Sequence, residues 1–154
     1  MGMDKTRSLA KRYERIYAQL EQLFLKTKNK TSRLASVAAL LQHKMPHFFW
    51  TGFYLLSQGE LVVGPYQGSL ACPVLKKNKG VCWAGILRRQ PVIVPDVHQF
   101  PGHIACDSRS NSEIVVPLFD EKGEVWGVLD VDSRAFDAFT EIDREWLEKI
   151  VALI

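Results

Sequence analysis

The sequence predicts an α+β domain: a central, mostly antiparallel sheet with the N- and C-terminal helices grouped on one face. Apolar residues recur at helical spacing near both ends of the chain, while the middle is built of short strand-like runs between turns. The resulting order is two helices, several mostly antiparallel strands, then a terminal helix, as in an α+β layer. The length of 154 residues, with no internal repeat, low-complexity tract or linker, points to one domain spanning 1–154.

Residues from about 5 to 26 read as a helix, with Leu9, Tyr13, Ile16, Tyr17, Leu20, Leu23 and Phe24 on one apolar stripe. A polar break at Thr27 to Lys30 precedes a second helix, capped by Thr31 or Ser32 and carrying Leu34, Val37, Ala38, Leu40 and Leu41. Strands follow at Phe48 to Leu56 and Glu60 to Tyr66, then a short one at Leu70 to Leu75. Val81 to Arg89 is a short helix and Val92 to Val94 a short strand. Pro95 to Ser112 has no period, and an aperiodic stretch of that length is often functional. Glu113 to Phe119 and Glu124 to Asp132 form a hairpin around Asp120-Glu121-Lys122-Gly123. Thr140 to Ile154 is a helix opened by a capping box of Thr140 and Asp143.

Composition narrows the function classes. A 47% apolar and 24% charged chain is ordinary for a globular protein. The net charge of +3 is scattered, and its densest runs, Lys26 to Lys30 and Lys76 to Lys79, lack interleaved aromatics, which argues against nucleic-acid binding. No apolar stretch approaches the roughly 20 residues of a membrane span, and Met1 to Leu25 has no signal-like apolar core. Cys72, Cys82 and Cys106 are too sparse for a disulfide scaffold, so a reducing, cytoplasmic setting is expected.

Three groups of residues are candidates for chemistry. Cys106 sits in the aperiodic segment beside His98 and His103, a setting that lowers a thiol pKa if a histidinium is near; a buried inert cysteine is the plainer alternative. Asp130 and Asp132 point to one strand face, shared with Trp126 and Val128, and hairpin pairing would bring Glu113 to them. Crowded carboxylates raise one another's pKa, and a neutral carboxylic acid can donate a proton; solvated strand-end caps are the alternative. Trp50 and Tyr54 share a strand face and would wall a pocket, or simply pack a core. A zinc site is disfavoured, because His103-x-x-Cys106 is the only tight ligand pair. No metal or cofactor is expected, and no G-x-G-x-x-G, Walker A or H-E-x-x-H pattern is present.

The same residues carry a family resemblance. Phe49-Trp-Thr-Gly-Phe-Tyr-Leu-Leu, Gly64-Pro-Tyr-Gln-Gly68, Ala71-Cys72, Gly80-Val-Cys82, Val94-Pro-Asp-Val-His98, Pro101-Gly-His-Ile-Ala-Cys-Asp107, Asn111-Ser-Glu-Ile-Val-Val-Pro-Leu118 and Gly127-Val-Leu-Asp-Val-Asp-Ser133 resemble the free methionine-(R)-sulfoxide reductases, single GAF-domain enzymes. The likeness covers about residues 31–154 and leaves 1–30 as a helical region outside it. It departs at Trp83, where the family usually has Gly, and at Leu75 to Gly80.

The resemblance implies a GAF-like fold and reduction of free L-methionine-(R)-sulfoxide, a role in countering oxidative stress. It implies Cys106 as nucleophile, Cys72 as resolving cysteine, Cys82 as an accessory thiol, and thioredoxin as electron donor. It makes Glu113, Asp130 and Asp132 substrate-binding and proton-donating acids and Trp50 and Tyr54 the aromatic wall. A homodimer fits the family habit. With this pairing implied, Cys72 is expected at the end of an extended segment free to move, and Cys82 at a helix start, shielded by Trp83. A GAF-type sensor that binds a small ligand without chemistry is the rival reading. A structural zinc or interaction protein is a more distant one.

Overall fold

The computed structural model describes residues 2–103 and 106–154. Ile104 and Ala105, inside the Pro101 to Asp107 motif, lie outside the described residues. The elements are α1 (Gly2–Leu23), α2 (Lys30–Lys44), β1 (Trp50–Ser57), β2 (Glu60–Gln67), β3 (Val74–Leu75), α3 (Gly80–Arg88), β4 (Val92–Val94), β5 (Ser112–Phe119), β6 (Val125–Ser133) and α4 (Glu141–Val151). The six strands form one antiparallel sheet in the order β3-β2-β1-β6-β5-β4. The architecture is the α+β fold expected of a GAF domain.

Strand alternation divides the sheet into two faces. Phe53, Ile114, Val116, Leu118, Leu129 and Val131 point to one of them. There they meet the stripes of α1 (Tyr13, Ile16, Leu20), α2 (Leu34, Val37, Leu41) and α4 (Leu147, Ile150) in the main core. Trp50, Tyr54, Val115 and Val128 point to the other face, which α3 covers with Val81, Cys82 and Trp83. Helix α3 packs very close to the sheet at Gly85, where a Cβ would lie 2.7 Å from Val115 Cγ1.

The structure corrects several local expectations. Helix α2 starts at Lys30, not after Thr31, because Asn29 caps it: its side chain accepts from the Ser32 N–H at 2.9 Å. Only Val74–Leu75 of the Leu70 to Leu75 run pairs as a strand. Trp126 does not share the face of Val128. Leu118 pairs with Gly127 but Phe119 with Val125, so Trp126 is the extra residue of a β-bulge. The bulge turns its ring to the helix-covered side, with Lys30 Nζ 4.5 Å above it.

Candidate functional site

The site lies on the α3 side of the sheet, where β1, β6 and β5 run side by side. Trp50 pairs with Asp132 and Asp132 with Glu113, so these three form one row across three strands. The next row is Gly52, Asp130 and Val115. Gly52 is required there: a Cβ would come within 2.2 Å of Tyr66 Cβ and 2.7 Å of the Trp50 ring. That absence of a side chain lets Trp50 stack against both Tyr54 and Tyr66, at centroid distances of 5.9 and 5.2 Å. A pocket opens above these rows, lined by Trp50, Tyr54, Cys82, Cys106, Glu113, Asp130 and Asp132. Seven of the eight sequence candidates therefore meet in one cavity, and the eighth, Cys72, is covalently attached to it.

Cys72 and Cys106 are joined by a disulfide, with their Cα atoms 5.7 Å apart. That spacing is within the ordinary range for a bridge. Cys106 is exposed and Cys72 half-buried, so the bridge sits toward the mouth of the pocket. Cys72 is in an irregular segment before β3 rather than at a strand end. The Tyr54 hydroxyl takes up the Cys72 carbonyl at 3.0 Å. Cys82 is a free thiol, buried in the first turn of α3 beneath the pocket. Trp83 beside it is buried too.

The acids are in a medium that disfavours charge. Glu113 is pushed well above the usual carboxylate range by burial, then by the charges of Asp130 and Asp132 and a hydrogen bond with Asp130. Asp132 is pushed well up by burial and by Asp130 and Asp107. Burial raises Asp130 as well, opposed by hydrogen bonds from Glu113 and Cys82. Among the described residues no cation pairs with any of the three. Asp130 Oδ1 is buried without a hydrogen-bond partner among the described residues. A proton on Glu113 or the Cys82 thiol would satisfy it. Cys82 is itself pushed well up by burial and by these neighbours, and Tyr54 is raised for the same reasons.

Cys82 Sγ and one oxygen each of Glu113 and Asp130 lie within 4.8 Å of one another, close enough to hold a metal ion. The sequence had no tight ligand pair there because this trio is assembled by α3, β5 and β6. His103 lines the pocket, but burial and His98 push its pKa below the usual value, which disfavours a histidinium beside Cys106. His98 is exposed and turned to Asp96, at 2.8 Å.

Sequence reasoning gave no role to Ser69, Asp107 and Arg109. Ser69 Oγ donates to Asp107 Oδ2 at 2.8 Å, and Arg109 grips the same carboxylate through Nε at 3.0 Å and a terminal nitrogen at 2.7 Å. The Arg109 guanidinium stacks 4.8 Å from the Phe49 ring. The available signal was the Asp107-Ser108-Arg109 turn, closed by the Arg109 N–H on Asp107 Oδ1.

A six-stranded sheet with three helices on one side and a pocket beside a short helix on the other defines a GAF-type domain, here one with a disulfide at the pocket mouth. Residues 34–154 match the GAF domain family model. GAF domain-containing protein A of Dictyostelium discoideum is 45% identical over 148 residues, covering 96% of this chain and 92% of the relative. The free methionine-R-sulfoxide reductase of Escherichia coli is 47% identical over 119 residues, covering 77% and 72% respectively. The structure of free methionine-R-sulfoxide reductase from Neisseria meningitidis, in complex with its substrate, superposes with a TM-score of 0.87 at 39% identity, covering 92% of this chain and 84% of that one. The chain belongs to the free methionine-R-sulfoxide reductase family of single GAF-domain oxidoreductases.

Proposed function

We propose that this chain reduces free L-methionine-(R)-sulfoxide to L-methionine by thiol chemistry at Cys106. The observation that carries the reading is the Cys72–Cys106 bridge at the mouth of a pocket floored by three acids that, among the described residues, form no ion pair. The Cys106 thiolate attacks the sulfoxide sulfur, and the sulfoxide oxygen takes a proton from the Glu113–Asp130–Asp132 cluster. Methionine leaves and Cys106 carries a sulfenic acid. The Cys72 thiol then displaces its hydroxyl as water, giving the disulfide. Thioredoxin reduces that bridge by exchange, in the reducing conditions of the cytoplasm. Cys82 is an accessory thiol within reach of the Asp130 carboxylate, with which it would share a proton.

Specificity for the free amino acid follows from charge. The acids suit an α-ammonium, while Lys76, Lys79 and the open N–H groups at the start of α3 line the same pocket and suit an α-carboxylate. A methionine sulfoxide inside a peptide carries neither charge, and burying the pocket charges unpaired costs roughly 2–5 kcal/mol. The reading assigns the Cys82–Glu113–Asp130 trio a shared proton, with no metal or other cofactor, so a chelator should leave turnover within about twofold. Trp50 and Tyr54 wall the thioether end.

An NADPH-coupled thioredoxin assay tests the reading. A racemic sulfoxide should stall near half conversion, and a peptide sulfoxide should react orders of magnitude more slowly. Comparable turnover of the peptide sulfoxide would refute the charge argument. Ligand binding with no NADPH consumption would instead favour a GAF-type sensor.

A further inference from the structure

We infer that Asp107 is a positioning residue that latches the Cys106 loop to the Cys72 loop and so sets the rate at which oxidised Cys106 is resolved. The inference rests on the thiol reading above. Forming a disulfide from a sulfenic acid needs two sulfurs on separate loops to meet before the sulfenic acid is lost to over-oxidation. Two mobile loops would meet rarely; two loops held together meet at once.

The structure contains such a hold, next to both sulfurs. Asp107 follows Cys106 directly, and Ser69 precedes Cys72 by three residues. The Ser69 Oγ to Asp107 Oδ2 hydrogen bond, at 2.8 Å, joins the two segments without passing through the disulfide. Each end is anchored. Trp50 Nε1 donates to the Ser69 carbonyl at 3.0 Å, and the Tyr54 hydroxyl to the Cys72 carbonyl at 3.0 Å, so the Cys72 side is tied to β1. On the other side Arg109 holds both oxygens of Asp107, and its guanidinium rests on Phe49, whose N–H donates to the Asp132 carbonyl at 2.8 Å. Both ends of the latch thus lead back to the same edge of the site. Asp107 stays ionised throughout, because the Arg109 and Ser69 bonds hold its carboxyl well below the usual range. A charged acceptor makes the Ser69 bond one of the stronger kind.

The step it governs balances without another reagent. Cys106–SOH and Cys72–SH give the Cys72–Cys106 disulfide and water: an S–S bond forms, the S–O bond breaks, and the Cys72 proton leaves with the hydroxyl.

The test follows reduced protein after a single oxidation, once with free methionine sulfoxide and once with hydrogen peroxide, which converts the Cys106 thiolate to the sulfenic acid directly. Disulfide formation is read by mass spectrometry and sulfenic acid by dimedone trapping. Losing a hydrogen bond to a charged group predicts that Ser69→Ala and Asp107→Ala slow disulfide formation by about tenfold or more, with a matching rise in trapped sulfenic acid. Ser69→Thr keeps the hydroxyl and should return to within about twofold of wild type. Those three results with peroxide support the latch even if the sulfoxide arm yields no methionine, an outcome that would overturn only the substrate reading. Disulfide formation at the wild-type rate in Ser69→Ala and Asp107→Ala would overturn the latch. So would a Ser69→Thr variant as slow as Ser69→Ala, which would show a packing role instead.

Discussion

Asp143 and Asp130 are both buried acids, 0% and 6% exposed, on opposite sides of the same sheet. Asp143, in the first turn of α4, accepts from the Tyr13 hydroxyl at 2.5 Å and from the Thr140 N–H at 2.7 Å. It closes the capping box and ties α1 to α4, and burial together with Asp143 holds Tyr13 firmly protonated. Asp130 has a buried oxygen with no partner and two further acids for neighbours. On the face covered by α1, α2 and α4, both oxygens of Asp143 are satisfied and the bonds tie elements of the fold together. The α3 face leaves its groups in want of a proton or a ligand, a cost that a purely structural face has no reason to carry. The comparison separates a fold-bearing acid from a chemistry-bearing one by counting partners, not by burial.

The sharpest break would come at the sulfur above the second face. Cys106→Ser should lower turnover by at least about 10³-fold, because serine is far less nucleophilic and forms no disulfide. Near-normal turnover in a coupled assay would remove Cys106 from the mechanism. Cys72→Ser should still release about one methionine per enzyme and then fail to cycle with thioredoxin, since the sulfenic acid has lost its partner.

Next are the acids. Glu113→Gln and Asp130→Asn should each slow catalysis by about 10²-fold or more with the fold intact. Both remaining within about threefold of wild type would reduce them to strand caps. Stability gives an independent check. Glu113 is raised in the folded state, so the folded chain binds more protons than the unfolded one above the ordinary carboxylate range. Its contribution is therefore present at low pH and lost as pH rises from about 4.3. Glu113→Gln has no such loss, so its stability relative to wild type should grow from pH 4 to pH 7 in denaturant titrations. A constant difference across that range would show that Glu113 titrates normally.

The first face should respond in the opposite sense. Tyr13→Phe removes a donor from fully buried Asp143 and should destabilise the fold by about 1–3 kcal/mol, while activity per folded molecule changes little. A large activity loss without a stability loss would erase the contrast between the faces. The smallest effect is expected at Cys82→Ser, which should keep cycling with a loss of a few-fold, because the hydroxyl can replace the thiol as a donor to Asp130. Peptide mapping should show Cys72–Cys106 as the dominant bridge in wild type; a dominant Cys82–Cys106 bridge would reassign the resolving residue.

Much of this was legible in the chain itself. The period of the apolar residues set the element order, and alternation put Asp130 with Asp132, and Trp50 with Tyr54, on common faces, since a side chain's face depends only on parity along a strand. The family resemblance added the roles of the cysteines. Where local pattern and local structure parted, the cause was an interaction that parity does not see. The bulge at Trp126 comes from pairing between β5 and β6, and the start of α2 from an asparagine side chain ahead of the helical pattern.

The tertiary structure alone decided the environment. That Cys82 lies under Asp130, that burial lowers the pKa of His103, and that Ser69 reaches Asp107 across 38 residues all depend on distances between segments remote in sequence. A residue's identity fixes what proton or bond it can offer. Whether it must offer it depends on which groups, and how little water, the fold places beside it.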